Sequence, residues 1–169
     1  MKFTMTGKII IRAYNHDDLN AMTKIWNEVV KDGVAFPQTD EMNLSEAESF
    51  FTSQTFCGVA EETDTREVLG LYILHPNNVG RCAHIANASY AVAGAARGKH
   101  IGEHLVRHSI SMLRPNGFSI LQFNAVVATN VYARHLYEKI GFRQLGTIPK
   151  GFRLKSGEYA DICPYYIEA

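Results

Sequence analysis

Six consecutive residues, Arg97-Gly98-Lys99-His100-Ile101-Gly102, carry the first chemical signal in the chain. The glycines let backbone approach a ligand closely, and Arg97 and Lys99 add positive charge. The stretch joins an apolar, strand-like run to an amphipathic, helix-like one. A helix N-terminus offers free N–H groups and the positive end of the aligned peptide dipoles. Such a turn suits a diphosphate. It equally suits a tight turn that happens to hold glycine and charge, and the motif alone does not choose.

Two other motifs compete for the same residues. A dinucleotide fold wants G-x-G-x-x-G in its first strand-to-helix turn. Gly94, Gly98 and Gly102 are spaced by four and sit mid-chain, which does not match. The run His100-Ile101-Gly102-Glu103-His104 reads H-x-x-E-H, an inverted zinc-peptidase pattern, and His108 continues the spacing. A helical wheel argues against metal. Ile101, Leu105, Val106, Ile110, Met112 and Leu113 take one half of the helix. His100, Glu103, His104, Arg107, His108 and Ser111 take the other, so these histidines are expected to be solvated. No metal site is expected.

Several polar residues stand where apolar ones would be usual. Tyr137 shares a helix face with Ala133, Leu136 and Ile140, which by pattern makes it a core tyrosine. Asn130 begins that helix and fits an N-cap. Asn87 and Asn124 interrupt strands that should be central. A buried amide without a partner costs roughly 1–3 kcal/mol, so each must either pair within the fold or face a ligand.

The elements that position these residues follow from periodicity and turn chemistry. Strands are expected at residues 9–14, 56–62, 67–75, 83–92, 118–127, 142–148 and 159–167. Helices are expected from residues 15–17 to Gly33, from a Ser45/Glu48 capping box to about Phe51, over 100–113 and over 130–140. Residues 33–44 form a loop. Strand–helix–strand across residues 83–127 predicts a right-handed crossover with parallel strands, and the hairpins predict antiparallel neighbours. The fold class is therefore a mixed, mostly antiparallel α/β sheet with helices on its faces.

At 169 residues the chain is one domain, 1–169. Lys+Arg and Asp+Glu are 17 each, so there is no basic excess to hold a nucleic acid or an anionic membrane. Cys57, Cys82 and Cys163 are odd in number and lack C-x-x-C spacing, which fits a reducing compartment. No apolar run approaches the ~20 residues of a membrane helix. A cytoplasmic protein is expected.

Taken together, Arg97–Gly102 and a second segment resemble the GCN5-related N-acetyltransferase (GNAT) family. The second segment is Asn124 through Phe142, with Asn130, Ala133, Leu136-Tyr137 and Gly141-Phe142. The first is similar to the family's R/Q-x-x-G-x-G/A pyrophosphate loop, and the second to its N-x-x-A-x-x-L-Y-x-x-x-G-F helix. The specific signal covers about residues 84–148. The family loop often has glycine where His100 stands, so a positive φ there would strain His100.

The resemblance implies an acyl-CoA N-acyltransferase fold in which strands 83–92 and 118–127 splay into a V that holds acetyl-CoA. It implies cofactor contacts from Ala91, Val92, Arg97, Gly98, Lys99, His100, Ile101, Gly102, Asn130 and Ala133. Tyr137 is implied as the acid for the departing thiolate, since an ordinary phenol stays protonated at neutral pH. Backbone N–H near Val92 would stabilise the oxyanion. The base is open among His84, Tyr90, Glu28, Asp32 and water, with His84 preferred because imidazole titrates near neutrality. Phe36, Asn87 and Asn124 are candidate acceptor contacts. Residues 27–42 are similar to phosphinothricin-type members, which implies a small amine acceptor such as an amino acid or analogue. Acetylation of a protein lysine or N-terminus, and a non-catalytic acyl-CoA-binding module, are the alternatives. A homodimer without metal or nucleic acid is the expected assembly.

Overall fold

A computed structural model describes residues 7–169. In chain order the elements are β1 (Ile9–Ala13), α1 (Leu19–Asp32), α2 (Leu44–Thr52), β2 (Phe56–Glu62), β3 (Val68–Pro76), β4 (Ile85–Val92), α3 (Ile101–Ser111), β5 (Ile120–Val127), α4 (Val131–Ile140), β6 (Arg143–Gln144), β7 (Ile148–Arg153) and β8 (Tyr159–Glu168). The strands form one sheet in the order β1-β2-β3-β4-β5-β8-β6, and β7 also pairs with β8. Every pairing is antiparallel except β4–β5. That parallel pair lies where the crossover through α3 was expected.

Each sheet face buries one set of helices. Leu19, Met22, Ile25, Trp26 and Val30 of α1 join Phe51 of α2 and Leu71 and Ile73 of β3 in one core cluster. Ile101, Leu105 and Val106 of α3 join Tyr72, Leu74, Ala86, Ala88, Leu121 and Phe123 in the other, with Leu136, Tyr137 and Ile140 of α4 beside them. Each large apolar side chain buried this way contributes roughly 1.5–3 kcal/mol. Gly70 sets how near α3 can come. A Cβ there would lie 2.9 Å from the Ala91 carbonyl oxygen and 3.1 Å from Ile101.

Two local expectations need correction. The α2 capping box is Asn43 and Glu46, not Ser45 and Glu48. Asn43 accepts from the Glu46 amide at 2.9 Å, and Glu46 accepts from the Asn43 amide at 2.9 Å. The strand expected at 142–148 is also cut short. Leu145 N donates to Pro164 O at 2.8 Å, and the chain then leaves β6 to begin β7 at Ile148. A register shift inside β7 holds Pro149, which has no N–H, and Lys150 at φ 55°.

Candidate active site

The β4–β5 pairing lasts for two residue pairs, Ile85↔Ile120 and Ala86↔Leu121. Both strands continue beyond it, so the sheet opens into a V. Two bonds show which β4 amides face the opening. Ala93 N donates to Leu69 O at 2.9 Å, and Asn77 N donates to Ile85 O at 2.8 Å. Both fall on the β3–β4 register, so odd-numbered β4 residues exchange hydrogen bonds with β3. Ala88, Tyr90 and Val92 therefore turn their N–H and C=O groups toward β5, past the end of strand pairing. The Asn87 side chain accepts the Ala88 N–H at 2.8 Å. Tyr90 and Val92 are left with backbone groups that an amide-bearing ligand can satisfy.

At the open end of the V, β4 passes through a short 3-10 turn, Gly94–Ala96, to α3. The first amides of α3 have no intrahelical acceptor, and no side chain caps them. Gly98 has φ 83°, which glycine adopts at little cost. His100 has φ 59° and ψ 17°, a left-handed backbone. Such a conformation costs a non-glycine residue on the order of 1–3 kcal/mol and persists only where its surroundings hold it. The turn is tied to α1 by Glu28, which accepts from Gly94 N at 3.3 Å, and by Asp32, 3.1 Å from Arg97. That last pair is exposed, worth at most about 1 kcal/mol, so Arg97 is readily released to a phosphate. Lys99 is exposed beside it. Together these groups fit a diphosphate.

The α3/α4 face of the V carries aromatic side chains. The Tyr137 ring lies 4.6 Å from Phe123, 5.5 Å from Phe142 and 6.5 Å from Tyr90. Burial pushes its phenol above the ordinary value, so it stays protonated. Among the described residues its hydroxyl has no hydrogen-bond partner. Tyr90 differs: its hydroxyl lies 2.7 Å from Ser109 Oγ. Ser109 donates its own proton to Val106 O at 2.7 Å, so Tyr90 is the donor of that pair. Asn130 caps α4, accepting from Ala133 N at 3.3 Å. Glu103 joins the two helices that flank the V. Lys139 and then Arg107 hold its carboxyl down to about 2, each with a bond of 2.8 Å.

A cleft of about 610 Å³ lies on the α1/α2 face. Asn87 and Ser89 of β4 and Ile73 and His75 of β3 form its floor, with Pro37 and Gln38 on one wall. Asn27 fixes the loop that supplies this wall, exchanging bonds of 2.8 and 2.9 Å with the Met42 backbone. Asn77 and Asn124 exchange side-chain hydrogen bonds of 3.0 and 2.6 Å. They link the β3–β4 loop to β5 beside the cleft.

The structure thus gathers Val92, the 97–102 turn, Asn130, Ala133 and Tyr137 around the V, with Asn87 and Asn124 on its other face. Three other candidates are placed elsewhere, and one further expectation is corrected. Ala91 spends its backbone on Leu71 of β3 and buries its side chain toward α1 and α2. Phe36 is core, with its ring 4.4 Å from Trp26. His84 is exposed and precedes β4 at the closed end of the V, where its carbonyl accepts from Ser119 N at 3.0 Å. His108, expected to be solvated, is half-buried with Nδ1 2.9 Å from the Tyr72 hydroxyl. Sequence reasoning missed His75, Ser89, Pro37 and Gln38. The odd-residue alternation of Leu71, Ile73 and His75 was the available signal.

Residues 19–142 match the model of the acetyltransferase (GNAT) family. The chain belongs to that family. It is 32% identical over 165 residues to the N-acetyltransferase aca1 of Schizosaccharomyces pombe, covering 87% of this chain and 78% of that protein. A GCN5-related N-acetyltransferase from Kribbella flavida superposes with a TM-score of 0.87 at 32% identity, over 95% of this chain and 98% of that one. A phosphinothricin acetyltransferase from Sinorhizobium meliloti, in complex with acetyl-CoA, superposes at 0.86. It is 21% identical over 97% of this chain and 89% of its own, and shows the fold. This chain is accordingly a GNAT N-acetyltransferase, with the mixed sheet and single parallel pair of that fold. Among the described residues no helix is long and apolar enough to cross a membrane. None of them forms a cluster of three His, Cys, Asp or Glu that could hold a metal.

Proposed function

We propose that this enzyme transfers the acetyl group of acetyl-CoA to the amine of a small molecule, such as an amino acid or analogue. The observation that carries the acceptor reading is the cleft on the α1/α2 face. Its volume lies within the roughly 300–1,000 Å³ of small-molecule sites, and it adjoins the β4 stretch whose amides turn into the V. A similar reading for the cofactor rests on the free α3 amides, the open amides of Tyr90 and Val92, and the acetyl-CoA complex of the Sinorhizobium relative.

The roles of the residues follow from their placement. The amides of Gly102 and its neighbours, with Arg97 and Lys99, hold the diphosphate. Tyr90 and Val92 pair with the pantetheine amides, and an N–H of the same strand edge stabilises charge on the acetyl oxygen. The acceptor enters from the α1/α2 face and the sulfur departs toward Tyr137 on the other. The Tyr137 phenol gives its proton to that sulfur. Burial raises the phenol pKa, so the proton is held until a basic thiolate departs. We keep a cytoplasmic location and a homodimer in this reading, the latter checked by sedimentation. The deciding experiment is a screen of amines that follows free thiol released from acetyl-CoA. Turnover of small amines but not of peptides is expected. Turnover confined to lysine peptides or protein N-termini would shift the reading to a protein acetyltransferase.

A further inference from the structure

His75 lies near the end of β3 beside Asn87, its cross-strand partner, and lines the cleft on the α1/α2 face. The ring is half-buried. Its Nδ1 lies 3.0 Å from the Pro76 carbonyl oxygen. A carbonyl oxygen can only accept, so in the neutral ring this contact places the proton on Nδ1 and leaves the lone pair on Nε2. Of the thirteen residues around the cleft, His75 alone has a basic side chain. The walls from α2, from the loop after α1 and from the β3–β4 loop present amides, a hydroxyl and apolar groups, none of them charged.

The nucleophile of an acetyl transfer to nitrogen is the neutral amine. An acceptor that arrives as an ammonium must first lose a proton, and a cleft without carboxylates does nothing to retain the cation. We infer that His75 is the base that takes this proton, through Nε2. The inference rests on the cleft being the acceptor site. One N–H bond of R–NH3+ breaks, its electron pair stays on nitrogen, and Nε2–H forms. That pair makes the new C–N bond to the acetyl carbon. The C–S bond breaks with its electrons on sulfur, which takes the Tyr137 proton. The second amine proton passes to solvent, solvent reprotonates Tyr137, and the imidazolium gives its proton to solvent. One proton is released per acetyl group moved.

His75→Ala and His75→Gln test the assignment with saturating acetyl-CoA and the fastest amine from the screen. Loss of a general base costs 10²–10⁴-fold in rate, so kcat should fall about 100-fold or more in both variants. The acetyl-CoA Kd should be unchanged. Imidazoles added to His75→Ala should restore turnover in the order of their basicity. Undiminished kcat in either variant overturns the proposal, and so does a loss that no imidazole restores, which would make His75 merely structural. If no amine in the screen is turned over, the acceptor reading fails on its own. Nitrogen NMR of the acetyl-CoA complex then decides on His75. Protonated Nδ1 with bare Nε2 at mildly alkaline pH is the expected state, and a proton on Nε2 instead overturns it.

Discussion

Tyr137→Phe removes one oxygen from the α3/α4 face of the V and keeps the ring among Phe123, Phe142 and Tyr90. The hydroxyl has no hydrogen-bond partner among the described residues, and burial is the cause of its raised pKa. The fold therefore loses no bond, and the roughly 1 kcal/mol that accompanies a missing hydrogen bond is not expected. The melting temperature should hold or rise slightly. Catalysis should respond differently. General acid assistance is worth 10²–10⁴-fold, and a thiolate is a tolerable leaving group, so the lower end applies. A hundredfold loss of kcat is about 2.7 kcal/mol of transition-state stabilisation. The assay follows free thiol with the amine identified by screening, while calorimetry gives the acetyl-CoA Kd on the same preparation. Slow turnover, unchanged Kd and an intact melt are the expected set. Full turnover in the folded variant would refute the acid role and leave solvent as the proton donor.

Gly102→Val should weaken CoA binding tenfold or more with little change in melting, because the nearest atom to a Cβ there is Leu136 Cδ2 at 3.8 Å; equal affinity would show that α3 does not meet the diphosphate. Gly98→Val should lose affinity and also melt lower, because its φ of 83° penalises any side chain. Burial lowers the His108 pKa below its ordinary value near 6.5, so the unfolded chain binds the extra proton first. Its contribution to stability is present above about pH 6.5 and declines as pH falls toward the folded value, and His108→Gln should flatten that part of the melting-against-pH curve. Activity should survive a chelator, because Lys139 and Arg107 already occupy the Glu103 carboxylate that a zinc motif would need; zinc bound tightly and lost in His104→Ala would contradict this.

Local chemistry made much of the fold legible. Apolar spacing located α1 and α3, and Gly33 and Gly141 marked the ends of α1 and α4. The turn at 97–102 and the helix from Asn130 could be read because their function needs particular residues at adjacent positions. What escaped was set by contacts between distant segments. The α2 cap was misplaced because Asn43-x-x-Glu46 and Ser45-x-x-Glu48 overlap, and only packing selects between them. His84 has the same parity as Tyr90, yet it lies outside β4 where the strands are still together. His75 could not be placed beside Asn87 until the β3–β4 register was known, and Ala91 looked available until that register gave its backbone to Leu71.

The central claim is that the V and the α3 amides form an acetyl-CoA site, and a thermal melt with and without acetyl-CoA tests it most directly. Ligand at about 100 times its Kd adds about 2.7 kcal/mol to the folded state. For a domain of this size that is a rise of roughly 5–10 °C. The account predicts such a rise in the wild-type enzyme and a much smaller one in Gly102→Val at the same concentration. A wild-type melt unmoved by millimolar acetyl-CoA would contradict it.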